Sequence, residues 1–215
     1  MREYYLKQLE LLNNLLIEMG SLIERAIETT IDALVNQDDD KARTAMELDE
    51  QIDQMEKDIE SLCMKLLLQQ QPVAGDLRLI SSALKMITDM ERIGDHATDI
   101  SEICLSMPKE PMIKKLTHLQ QMAKETMYML IKSVDAFVNR DMNLAHEVIE
   151  RDDIVDDLFV QIKSELINLI HQNPDNGHQA LDLMMIGKYF ERIGDHATNI
   201  AEWVIFSMTG KHEET

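Results

Sequence analysis

Cysteine is scarce: the 215-residue chain has two, Cys63 and Cys104, with no CxxC spacing, which leaves a disulfide framework or a thiolate metal site nothing to build on. Both lie within apolar helical patterns and read as core residues of a reducing compartment. Proline (4) and glycine (7) are sparse, and aromatics make up 4% of the chain. The rest is dense in Leu, Ile, Met, Glu, Asp and Ala, which points to an all-α protein. Basic residues are outnumbered, 21 against 40 acidic, for a formal charge of −19. Such a surface repels a phosphate backbone, so nucleic-acid binding is excluded, and multivalent cations or basic protein surfaces are favoured as partners. No uncharged apolar run approaches the about 18 residues a membrane span needs, and Met1 to Lys7 contain no apolar leader core. The expectation is a cytoplasmic protein, neither secreted nor membrane-spanning.

What is present is a repeat. Residues 91–98 read ERIGDHAT and residues 191–198 repeat them letter for letter. Outside the motif, Ile31 to Asn36 align with Val134 to Asn139, and Asp49 and Asp53 with Asp152 and Asp156, at a constant offset of 103 residues. The chain is a tandem duplication, with its halves at residues 1–108 and 109–215. Loop signals at Asn36-Gln37-Asp38, Gln71 to Gly75, Met107 to Pro111, Asn139-Arg140-Asp141 and Asn173 to Gly177 cut each half into three helices. The fold class is therefore two tandem three-helix bundles, six long antiparallel helices of about 30 residues each.

Apolar steps of three and four support this reading. Ile52, Met55, Ile59, Leu62 and Leu66 form one stripe, and Met86, Met90, Ile93, Ala97, Ile100 and Cys104 another. The second half answers with Ile186, Phe190, Ile193, Ala197, Ile200 and Val204. The 16 methionines read as adaptable core filler rather than as a binding groove.

An acidic residue followed by Asp at the fourth position occurs four times, as Asp49/Asp53, Glu91/Asp95, Asp152/Asp156 and Glu191/Asp195. Members of each pair share a helix face and repel, so something positive should compensate. The pairs flank the apolar stripes and can converge across the groove between neighbouring helices. An oxygen-rich site of that kind suits iron, manganese, magnesium or calcium, with zinc also possible. His96 and His196 each stand one residue, about 100° of helix, beyond an Asp, which turns them away from its face. Arg92 and Arg192 are placed to balance the acids, and Gly94 and Gly194 to admit a closely packed helix. No helical Glu has a His three residues on, which rejects a ferritin-like di-iron enzyme. With no Gly-rich phosphate loop, GxSxG, CxxC or HExxH, the chain reads as a non-enzyme. A metal-storage or redox bundle and a purely structural helical adaptor remain as alternatives.

Asp89 to Ala97, the copy at Phe190 to Ala197, and Gln70 to Arg78 (QQPVAGDLR) resemble the signature segments of the PhoU family of phosphate uptake regulators. The resemblance covers essentially the whole chain. It implies a tandem three-helix bundle holding multinuclear metal clusters, most readily iron, on its surface. The implied ligands are Asp49, Asp53, Glu91, Asp95 and Asp99 in the first half and Asp152, Asp156, Glu191, Asp195 and Asn199 in the second, where Asn199 replaces the acid. It further implies a negative regulator of phosphate uptake and of the phosphate-starvation response. The implied partners are the ATPase subunit of a phosphate ABC transporter and a phosphate-sensing histidine kinase, with the protein itself a homodimer peripheral to membrane complexes. The second half lacks the QPVAGDLR segment, so Asp76 and Arg78 are expected to mark a partner contact peculiar to the first.

Overall fold

Six helices follow one another in a computed structural model that describes residues 2–69 and 74–211: α1 (Arg2–Asn36), α2 (Asp39–Gln69), α3 (Ala74–Ser106), α4 (Thr117–Asn139), α5 (Met142–Gln172) and α6 (Gly177–Thr209), with a 3-10 turn at Pro174–Asn176. No strand occurs among the described residues. Gln70 to Val73 of the expected segment before α3, and Met1, lie outside them.

Four of the five expected loops fall where the breakers stand; of Gln71 to Gly75, only Ala74 and Gly75 lie among the described residues, and they open α3. After α1, Gln37 takes a left-handed φ of 52°, and Asp38 then caps α2 by accepting the N–H groups of Asp40 and Lys41 at 3.0 and 3.1 Å. The second half repeats this 103 residues later. Arg140 has φ 56°, and Asp141 accepts from the N–H groups of Asn143 and Leu144. A side-chain oxygen there satisfies helix N–H groups that have no partner within the helix.

α4 is the exception to the expected length, at 23 residues against 31 to 35 for the others. The chain from Pro108 to Leu116 is irregular, because Pro108 and Pro111 cannot donate to a helix. That linker is tied to both halves. Gln37 Nε2 donates to Glu110 O at 2.7 Å, and Ile113 N donates to Gln179 Oε1 at 2.6 Å.

In each half the first two helices pack on the third, α1 and α2 with α3, α4 and α5 with α6. The halves join through α3 against α6 and α1 against α4, so those four helices form the middle of the molecule and α2 and α5 flank it. Every residue of the α3 stripe and of its α6 counterpart is buried. Buried apolar residues from both halves make one continuous core. Thr30 and Ser101, wholly buried within it, share a hydrogen bond of 2.9 Å, so neither hydroxyl is stranded.

Candidate functional site

The repeated glycines set the geometry of two grooves, one between α2 and α3 and one between α5 and α6. A Cβ on Gly94 would lie 3.1 Å from Ile52 Cδ1 and 3.4 Å from Asp49 Oδ1. On Gly194 it would lie 2.8 Å from Asp152 Oδ1 and 3.4 Å from Val155 Cγ1. Glycine therefore does two things at once: it lets the flanking helix close in, and it leaves room for a carboxylate oxygen against the backbone. Asp49 Oδ1 and Asp152 Oδ1 are buried there without a hydrogen-bond partner, and so are the hydroxyls of Thr98 and Thr198.

Stranded acids in such a place resist ionisation. Burial, then the neighbouring charges of Asp95, Asp53 and Asp99, push Asp49 up to about 6. Asp152 is pushed up to about 7 by burial and then by Asp156, Asp195, Glu191 and Asp153. Glu91 is raised by burial and by Asp95, Asp156 by burial and by Glu191, and Asp195 by burial and by Glu191. The four pairs are thus brought together two by two: Asp49/Asp53 with Glu91/Asp95, and Asp152/Asp156 with Glu191/Asp195. Two acids join them that spacing did not single out. Glu56 feels Asp53 and adds to Glu91, and Asp153 adds to Asp152 and Asp156.

The compensating cations differ between the halves. Arg92 reaches Asp95 at 2.7 Å and Glu91 at 3.5 Å. Its counterpart Arg192 lies over the Tyr189 ring, 5.8 Å from the centroid, and Lys188 pairs with Glu191 instead. Both are partial answers, since neither reaches the buried oxygens of Asp49 or Asp152.

Asp99 and Asn199 turn another way. Asp99 Oδ2 is 3.1 Å from His96 Nδ1, on its own helix. Asn199 Nδ2 donates to Asp89 Oδ1 at 3.1 Å across the interface between the halves, and His196 Nδ1 lies 2.8 Å from the same oxygen. The change from acid to amide at position 199 has a local cause, because a carboxylate there would face Asp89. Burial holds His96 below the usual histidine range, with its Asp99 hydrogen bond opposing.

Asp76 and Arg78 sit at the far end of α3. Burial and the Asp76 carboxylate push the Tyr5 hydroxyl up to about 12. Arg78 packs its side chain against Gly210, the left-handed cap of α6 at φ 73°, where an added Cβ would meet Arg78 Cδ at 3.4 Å. Arg78 Nε is buried there with no hydrogen-bond partner.

The grooves offer hard oxygen donors, an excess of negative charge and one buried, unsatisfied carboxylate oxygen each, which is the chemistry a multivalent cation satisfies. As the side chains stand, no three His, Cys, Asp or Glu among the described residues form a group able to hold a metal ion. Ligation therefore requires rotation of the outer acids, of which Asp156 and Asp195, desolvated on their groove side, keep an edge open to solvent.

An all-helical protein of two fused three-helix bundles, each with an acidic groove beside a helix glycine, is the class defined by these features. The PhoU domain family matches the chain twice, at residues 16–104 and 119–204, one match in each half. The chain belongs to the PhoU family. It is 37% identical over 211 residues to a phosphate-specific transport system accessory protein PhoU homolog of Clostridium acetobutylicum, covering 98% of this chain and 96% of that protein. It is 33% identical to a homolog of the same name from Pseudomonas aeruginosa, over 94% of this chain and 84% of that one. The crystal structure of PhoU from Pseudomonas aeruginosa superposes with a TM-score of 0.90 at 32% identity, over 96% of this chain and 100% of that chain. The phosphate transport system regulatory protein PhoU from Streptococcus pneumoniae superposes with a TM-score of 0.89 at 25% identity, over 98% and 100%. No helix among the described residues is long and apolar enough to cross a membrane.

Proposed function

We propose that the chain is an accessory protein of a phosphate transport system that lowers phosphate uptake and the phosphate-starvation response when phosphate is plentiful. The observation that carries this reading is similarity at 30 to 37% identity, over nearly the whole chain, to proteins that bear the phosphate-transport accessory name. It acts by contact rather than by catalysis, as a cytoplasmic homodimer that joins the ATPase subunit of the phosphate ABC transporter to a phosphate-sensing histidine kinase.

Metal is part of this reading. Asp49, Asp53, Glu91 and Asp95 hold a cation cluster in one groove, and Asp152, Asp156, Glu191 and Asp195 hold another. Asp99 and Asn199 stand at the edge of each set, committed to His96 and Asp89. The unsatisfied Asp49 and Asp152 oxygens support these sites, and iron or another oxygen-preferring cation fits the donors. Asp76 and Arg78, at the end of α3, are the partner contact peculiar to the first half.

The test is a pull-down of the purified protein against the transporter ATPase and the kinase, with and without chelator, with metal content read on the same samples. Capture of both partners is the expected outcome, and loss of capture with chelator makes the grooves part of the switch. Capture of neither under any metal condition overturns the adaptor role. Kinase capture left intact by charge reversal at Asp76 or Arg78 removes those residues from the contact.

A further inference from the structure

We infer that His96 and His196 form a nitrogen-donor site for a borderline divalent cation such as Zn2+, separate from the acidic grooves and bridging the two halves. The two imidazoles come from the two copies of the repeated motif, one on α3 and one on α6. They meet across the interface with ring centroids 5.5 Å apart. Two imidazoles bound through nitrogen to one tetrahedral ion, at about 2.0–2.1 Å per bond, place their centroids ~5 Å apart. The observed spacing is close to that already.

Each ring is held by its other nitrogen. His96 Nδ1 lies 3.1 Å from Asp99 Oδ2, and His196 Nδ1 lies 2.8 Å from Asp89 Oδ1. An ionised carboxylate can only accept, so Nδ1 carries the proton in both neutral rings and the lone pair falls on Nε2. The Nε2 atoms take no part in the bonds that hold the rings. A carboxylate on the far nitrogen is the arrangement that fixes the tautomer and raises the basicity of metal-bound histidine. Imidazole nitrogen prefers zinc, copper or nickel to the hard cations that suit the grooves. The His96 side chain is 12% exposed and that of His196 25%, shielded but open to an ion from solvent.

Helix geometry sets the two histidines apart from the grooves, with Asp99 the acid close to both, since it holds His96 and its charge also acts on Asp49. Each His follows its Asp by one residue, about 100° around the helix. Asp95 and Asp195 accordingly face α2 and α5 while the histidines face each other. Asp89 of the first half already anchors His196 and Asn199 of the second. A cation on both Nε2 atoms adds a second link across the same interface. With two protein ligands, water fills the remaining positions and the ion exchanges.

The test uses the full chain, stripped with chelator, labelled with 15N and titrated with ZnCl2. Long-range proton–nitrogen spectra of the histidines are expected to show the Nε2 signals of His96 and His196 moving together while both Nδ1 atoms stay protonated. H96Q and H196Q should each weaken zinc binding at this site by at least about tenfold. Zinc that saturates the protein without moving either Nε2 signal has gone to the carboxylates alone and overturns the inference. Movement of only one of the two signals overturns the bridge. Should either variant lose helicity, the spectra of the unsubstituted chain still decide.

Discussion

Asp152 lies in its groove with one oxygen buried and unsatisfied and with four other acids close enough to oppose its charge. Unfolding returns it to the ordinary carboxylate value of 3.8, whereas the folded chain holds it at about 7. Between those values the folded state binds more protons than the unfolded one, so its contribution to stability is full below the lower value and lost as pH rises through the upper. Asp49 acts with the same sign over a window ending at about 6. Chelator-stripped protein is therefore expected to melt at a lower temperature at about pH 8 than at about pH 5. D152N should remove part of that difference, and thermal melts at the two pH values check it. A melting temperature that rises with pH would show that the two aspartates are ionised without penalty.

At the scale of elements, the duplication preserves the joints as well as the stripes. Gln37 and Arg140 both end a first helix in the left-handed region, and Asp38 and Asp141 both cap the next helix. A residue with a Cβ in that conformation is disfavoured by roughly 1–2 kcal/mol, a penalty glycine escapes. Part of the gain from glycine is lost to the entropy of the unfolded chain. R140G is expected to raise stability by ~0.5–1 kcal/mol, and Q37G by less, because it also removes the bond from Gln37 Nε2 to Glu110 O. D141A is expected to lower it by about 1 kcal/mol, the usual value of an N-cap. Urea midpoints at unchanged slope measure all three, and a destabilised R140G would mean that Arg140 makes a contact worth more than the backbone strain.

For the molecule as a whole, the decisive feature is that α3 packs on α6 and α1 on α4, which merges two bundle cores into one. Phe190, fully buried on α6, lies within that shared core. Truncating such a side chain typically removes about 3–5 kcal/mol. F190A is therefore expected to lower the melting temperature of a single transition, with calorimetric and van't Hoff enthalpies still equal. If the halves were independent, F190A would instead split the melt, with the first half unfolding at its original temperature.

Much of this was legible in the sequence because it is local. Helix periodicity placed the stripes of α3 and α6 and their burial, the breakers placed most of the joints, the letter-for-letter repeat placed Glu91/Asp95 and Glu191/Asp195 at equivalent positions, and the constant offset of 103 did the same for Asp49/Asp53 and Asp152/Asp156. Spacing along a helix fixes which residues share a face. It does not fix what that face meets. Only the packing of α2 on α3 and of α5 on α6 stranded one oxygen each of Asp49 and Asp152, set the acids of one helix against those of the next, and brought Glu56 within reach of Glu91. Only the packing of α3 on α6 turned His96 toward His196 and gave Asn199 its reason, because Asp89 comes from a helix more than 100 residues away in the chain. Local pattern depends on the geometry of one helix, whereas partners across an interface depend on how several helices share a core.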